Sequence, residues 1–198
     1  LQDTTDEQIA SALIAAIETP DNQDAYRKDL LQYFDVDGSF QVLLMTCEGL
    51  DSMDTVERKK LSYRIQVYLE DITHNGSFFY YNSDFVLVAN ALSEEYLCRL
   101  VEGAIKRGKR RMPGLQLCVG IGSRCMDISQ LSVSYQRAKA AAHIAMTQKK
   151  QVVKFDDCGL FRLLYMVEDK EILKEMETEC LAALEEYDRR YHADYVET

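Results

Sequence analysis

Several functional classes are argued against by what this chain lacks. No apolar run approaches the ~20 residues that a membrane-spanning helix requires, so no membrane partner is expected. The opening LQDTTDEQIA is polar and acidic and does not read as a secretory leader. Six cysteines are scattered singly: no C-x-x-C pair occurs, and no histidine stands at zinc-ligand spacing. They read as free thiols of a reducing cytosol, with no metal site. There is no Walker-type phosphate loop and no Gly-x-Ser-x-Gly elbow. His143 and His192 have no spaced Ser or Cys to make a nucleophilic triad. Positive charge is also scarce. With 23 Lys+Arg against 33 Asp+Glu the formal charge is −10, which disfavours gripping phosphate by this chain itself. Low-complexity segments and solenoid repeats are absent.

What is present suits one compact domain with appendages, or two small domains, of an ordinary globular composition: 198 residues, 47% apolar and 28% charged. The organising stretch is 115–157. Leu115, Leu117, Val119 and Ile121 alternate with polar or small residues, the period of a half-buried strand. Gly120 and Gly122 at its end allow close backbone approach. Leu131, Tyr135, Ala138, Ala142 and Ala145 then share one helical face, and the alanines would let that helix lie close on a sheet. Val152, Val153 and Phe155 give a short apolar strand.

In chain order, residues 5–17 read as a helix with a Thr5/Gln8 capping box, and Tyr26, Leu30, Leu31 and Phe34 mark a second short helix. Narrow stripes of this kind dock on a core or pair with another chain. Asp35-Val36-Asp37-Gly38 starts like a calcium loop but lacks the further oxygen ligands and closing Glu, so it reads as a turn. Residues 40–46 form the first strong strand. Asp54 and Glu57 then cap a long helix carrying Leu61, Ile65, Tyr68, Leu69 and Ile72, which His74-Asn75-Gly76 would stop. Strands 77–81 and 85–89 are joined by Asn82-Ser83-Asp84 as a tight hairpin. Ser93 caps the next helix, with Leu92 and Leu97 placed to staple it. That helix ends in Lys106, Arg107, Lys109, Arg110 and Arg111, read as cations suited to a helix C-terminus rather than as a nucleic-acid patch. Beyond Asp157 the chain turns helical. Leu160, Leu163, Leu164 and Val167 form one stripe; Ile172, Met176, Cys180 and Leu184 form another.

The core order is therefore strand, helix, strand, strand, helix, strand, followed by helix and strand. Its first six elements are the split pattern of ferredoxin-like folds. The predicted class is α+β: a mostly antiparallel sheet with packed helices, plus helical N- and C-terminal extensions. The expected division is 1–36 as an N-terminal helical linker, 37–157 as the sheet domain and 158–198 as a helical connector.

This order, with a tight central hairpin and a G-x-G strand before an Ala-rich helix, resembles the GGDEF family and the wider class III nucleotidyl cyclase fold. Tyr81-Asn82-Ser83-Asp84-Phe85 stands where that family carries Gly-Gly-Asp-Glu-Phe, and Ala138-Lys139 resembles its Ala-Lys helix. More specifically, VGIGS, DISQLSVSYQRAKAA, VVKFDDCGLFRLL and LAALEEYDRRYHADYVET look like the GGDEF-like domain of PucR/CdaR-type transcriptional regulators. The shared pattern includes Ser134-Tyr135-x-x-Ala138 and Leu184-x-x-Tyr187-Asp188. The resemblance implies a helix-turn-helix domain following in the parent protein, a cytoplasmic location, homodimerisation, and contact with DNA only through that downstream domain. The chain does not start with Met and is expected to belong to a longer protein.

A cyclase of this type needs two carboxylates to hold Mg²⁺ against a triphosphate, and two glycines to admit the nucleotide to the backbone. Here the first strand ends Met45-Thr46-Cys47-Glu48, leaving Glu48 or Asp51 for one acid. The hairpin has Asn82-Ser83 in place of the glycines and keeps one acid, Asp84. Glu48, Asn82, Ser83 and Asp84 are thus candidates only for a vestigial nucleotide site. The expectation is no catalytic residue, no metal, no cofactor and no enzymatic activity; the small-molecule effector is left unnamed. The alternative is a purine-nucleotide-binding domain or residual cyclase.

Overall fold

A computed structural model of the chain describes residues 2–69, 75–111 and 115–166, with single helical positions at 171, 178, 187, 189 and 190. Contacts divide it into two units, Leu1–Cys158 and Gly159–Thr198. The first holds a five-stranded sheet in the order β2-β3-β1-β4-β5. Its centre is β1 (Phe40–Cys47), whose run FQVLLMTC is apolar on both faces because both faces are covered. β1 pairs antiparallel with β3 (Asp84–Asn90) on one side and with β4 (Leu117–Ile121) on the other. β2 (Gly76–Tyr81) extends the sheet antiparallel to β3, and β5 (Val152–Lys154) runs parallel to β4. The first four strands in chain order thus have the ferredoxin-like arrangement, and β5 is the added edge. The α+β, mostly antiparallel class is the one predicted.

Alternation along the strands builds two cores. Val42, Leu44, Val86 and Val88 face α1 (Gln2–Glu18), the short α2 (Arg27–Leu30) and α5 (Leu131–Thr147). Leu43, Met45, Leu87 and Val119 face α3 (Thr55–Tyr68) and α4 (Glu94–Arg111). Each fully buried aliphatic side chain is worth about 1.5–3 kcal/mol against exposure. The N-terminal segment shares in this: Leu13, Ala16, Tyr26 and Leu30 are fully buried in the first core. α6 (Phe161–Met166) belongs to the second unit, and Leu160 and Leu163 are exposed.

Local signals explain most boundaries. Asp54 caps α3, its carboxylate accepting from the Glu57 amide at 2.7 Å. The Ser93 hydroxyl accepts from the Tyr96 amide, and Leu92 and Leu97 meet in the same core. Arg107 donates to the terminal Tyr68 carbonyl, so one cation of the basic cluster closes α3 as well as standing near the end of its own helix. Four expectations are corrected. α1 begins at Gln2, leaving Thr5 inside the helix instead of capping it. Leu31 is 57% exposed, outside the buried Tyr26, Leu30 and Phe34 set, because α2 is a single turn. α3 stops at Tyr68, and Gly76 opens β2 opposite Ala89 rather than ending a helix. Phe155 lies just past β5 in a 3-10 turn. Ile72, His74, Val167 and the stripe from Ile172 to Leu184 lie outside the described residues.

α5 sits directly on the strand backbone. A Cβ on Gly120 would fall 2.1 Å from the Ala142 nitrogen and 2.2 Å from the Ala138 oxygen; one on Gly122 would fall 2.1 Å from the Ser134 oxygen. The close approach expected from the G-x-G strand is therefore to the protein's own helix. Ser134 completes the contact, its Oγ accepting from the Val42 amide at 3.0 Å. Gly120→Ala is expected to destabilise the domain by about 3 kcal/mol or more, because backbone cannot yield as a flexible side chain can. Urea denaturation measures this.

Candidate functional site

The site to test is the β2–β3 hairpin with the end of β1. Register brings them to one end of the sheet: Met45 opposes Phe85, and Tyr81 opposes Asp84. The turn is only Asn82-Ser83, both with positive φ (47° and 69°). This is the backbone that two-residue hairpins require, since its twist matches that of the strands. Asparagine tolerates such a φ; serine does so at a cost. Asp84 is half-buried within β3, and Asn82 and Ser83 are exposed. Glu48 is exposed just past β1, followed by Gly49 at φ 79° and the buried anchor Leu50. The structure therefore groups Asn82, Ser83 and Asp84 at the tip and leaves Glu48 at the same end of the sheet. Among the described residues no group of three or more His, Cys, Asp or Glu side chains could hold a metal ion. The Asp35-Val36-Asp37-Gly38 stretch is a turn closed by the Gly38 amide on the Asp35 carbonyl at 3.0 Å.

Both faces of the hairpin are occupied by side chains. On the α1/α5 side the Tyr81 ring lies 5.7 Å from that of Tyr135, and the Tyr81 hydroxyl donates to the Glu18 carboxylate at 2.7 Å. On the α3 side the Tyr80 ring meets Phe85 edge-on, and the Arg58 guanidinium stands 4.7 Å above Tyr80. Burial, with the Glu18 carboxylate beside it, pushes the Tyr81 hydroxyl up to about 12 from its ordinary 10. Burial also pushes Tyr135 up. The Asn82 amide is close enough to oppose that shift, yet among the described residues no group meets the Tyr135 hydroxyl at hydrogen-bond geometry. Sequence reasoning did not single out Tyr135, Glu18 or Arg58 as neighbours of the hairpin. Glu18 and Tyr81 are 63 positions apart, and nothing local signals their meeting.

The family follows from comparison. Residues 23–144 match the model of the GGDEF-like domain family, more than half of the chain. This chain belongs to the GGDEF-like domain family. Among solved structures, the GGDEF domain of DgcB from Caulobacter crescentus, in complex with c-di-GMP, is similar at 9% identity and TM-score 0.50, over 68% of this chain and 91% of that one. At that identity the likeness concerns fold alone. A microbial GGDEF domain interacting with cyclic di-GMP gives 16% identity and TM-score 0.43, over 75% of this chain and 88% of its own. The S helix-GGDEF-EAL portion of Vibrio cholerae LapD, bound to c-di-GMP, gives 12% and 0.43, over 75% of this chain and 36% of its own. No curated protein matches the chain.

Within the GGDEF-like domain the described thiols are free, as read from sequence. Burial pushes Cys47 and Cys125 up to about 11, and no described helix is long and apolar enough to cross a membrane. Three outcomes follow from the hairpin. Ser83→Gly is expected to raise stability by about 0.5–1 kcal/mol by relieving a positive φ. Tyr135→Phe is expected to be neutral or stabilising by up to about 1 kcal/mol, since it removes a buried hydroxyl that has no partner. Thermal and urea unfolding check both. Tyr81 titrates higher folded than unfolded, so its contribution is complete below pH 10 and is lost as pH rises through about 12. Unfolding measured from pH 9 upward should show a smaller loss in Tyr81→Phe than in the native chain, the remainder coming from other buried hydroxyls such as Tyr26 and Tyr135.

Proposed function

We propose that this GGDEF-like domain is a catalytically inert regulatory and dimerisation module of a cytoplasmic PucR/CdaR-type transcription regulator. It relays a signal to a DNA-binding helix-turn-helix domain elsewhere in the parent protein. The observation that carries the reading is the hairpin. Where a nucleotide would need bare backbone, Asn82 and Ser83 supply side chains, and Tyr81 is fastened to α1 through Glu18. A tip tied to a helix is suited to mechanical coupling. Displacement of α1 acts on β2 through Tyr81 and on α5 through the shared first core. α5 leads through β5 to the exit at Cys158. The Ser134-Tyr135-x-x-Ala138 pattern supports the same reading, because all three residues are buried in the α5 contact on which such a relay depends. The module then acts as a two-state element whose packing sets the spacing of the DNA readers.

A second reading, purine-nucleotide binding with Mg²⁺ through Glu48 and Asp84, is favoured by one observation: both acids stand at the same end of the sheet. Calorimetry with GTP, ATP and cyclic di-GMP, with and without Mg²⁺, separates the two. No binding heat is expected; saturable heat that disappears in Asp84→Ala establishes the second reading instead. In the parent protein, replacing Leu160, Leu163 and Leu164 with Ala should abolish reporter response while leaving the melting of the sheet unit unchanged. An intact response would refute the relay.

A further inference from the structure

Helices on the two faces of the sheet differ in charge: α1 carries four acids and no cation, whereas α3 and α4 are mostly basic; α2 and α5, on the face of α1, add Arg27, Lys28, Arg137 and Lys139. The N-terminal layer exposes Asp6, Glu7, Asp21, Asp24 and Asp29, and none of these has an ion-pair partner among the described residues. On the other face α3 and α4 expose Lys59, Lys60, Arg64, Arg99, Lys106 and Arg110, equally without ion-pair partners among the described residues. α3 has four cations against one acid and α4 six against three, in a chain whose formal charge is −10. Solubility asks only for interspersed charges, so this sorting calls for another reason. Each layer also exposes apolar side chains beside its charges. In the acidic layer the exposed Leu31 and Tyr33 accompany a groove of about 290 Å³ between α1 and α2, with Ile9, Ala12 and Ala15 in its lining. In the basic layer Val56, Tyr63 and Val67 are 59%, 69% and 37% exposed and fall in one row along α3, bordered by Lys60.

We propose that these layers bind each other between copies: the basic α3/α4 face of one molecule seats the acidic α1/α2 face of the next, with Tyr63 entering the groove beside Tyr33. The faces lie on opposite sides of the sheet, so the contact is heterologous. Each added molecule leaves one face of each kind open, and assemblies grow head to tail. Opposite charge fixes the orientation and opposes like-face pairing. This goes beyond the dimerisation proposed above, which a two-fold contact elsewhere would serve. The apolar row distinguishes a protein partner from nucleic acid. Phosphates would use the cations and leave Val56, Tyr63 and Val67 in water, and an acidic molecule repels a polyanion.

Sedimentation velocity of the whole chain over a wide concentration range tests this. Wild-type protein should grow steadily with concentration. Lys60→Ser/Tyr63→Ser, which disables only the basic face, and Asp29→Ser/Leu31→Ser, which disables only the acidic face, should each stop that growth, weakening the contact roughly tenfold or more. Mixed in equal amounts, the two variants should associate with each other although neither grows alone, because each keeps the face the other lacks. All four substitutions are at exposed positions, and unchanged melting temperatures confirm folding. A dimer made through another surface persists in every sample, so its loss and the loss of this contact are read separately. Wild-type protein of fixed size at all concentrations overturns the proposal. So do growth that survives both variants, failure of the two variants to associate with each other, or preferential binding of duplex DNA that depends on Lys60.

Discussion

The seat of α5 on β4 is the constraint from which the rest of the sheet unit follows. Two glycines remove the side chains that would hold a helix at ordinary distance, and the facing Ala138 and Ala142 let the backbones meet. Helix and strand then lie too close for either to shift without the other. Ser134 reinforces the contact by accepting from a β1 amide, so the helix is joined to the central strand as well as to the neighbouring one. With α5 fixed, the return to β5 is a short parallel crossover, and the groove between α5 and β2 is left for α1 to fill.

Such packing separates what the GGDEF-like fold requires from the chemistry its hairpin could host. The sheet order and the two-residue turn are requirements of the scaffold, met by hydrophobic alternation and by backbone twist. The chemistry that a turn could host is a separate matter of which side chains stand there. Here the exposed tip carries Asn82 and Ser83, and the strands leading to it are flanked by aromatic rings, Tyr81 and Tyr135 on one side and Tyr80 beneath Arg58 on the other. Rings and a guanidinium stiffen a hairpin, and stiffness is useful for transmitting force between elements.

Much of the fold could be read directly. The apolar run of β1 and the Asp54 and Ser93 caps each carry a local physical signal and appeared where expected; the loop at Asn82 is one residue shorter than read, because Asp84 pairs with Tyr81, and β4 starts at Leu117 rather than Leu115. The misreadings share a cause. Leu31 and Gly76 were assigned from spacing or residue type where a one-turn helix, or an early helix end, made spacing uninformative. The candidate residues Asn82, Ser83 and Asp84 were adjacent in sequence and so were legible as a group. Their neighbours Glu18, Arg58 and Tyr135 come from three separate helices, and no local pattern announces them.

Strand and helix order, the buried alternation and the side chains at the hairpin tip were fixed by the residues themselves, because each depends on neighbours a few positions apart. The fastening of Tyr81 to Glu18, the closure of α3 by Arg107 and the placing of the acidic α1 on the face opposite the basic α3 and α4 were decided only when the chain folded. Those contacts join side chains dozens of positions apart, and only the strand pairing and helix packing of the finished sheet determine which of them meet.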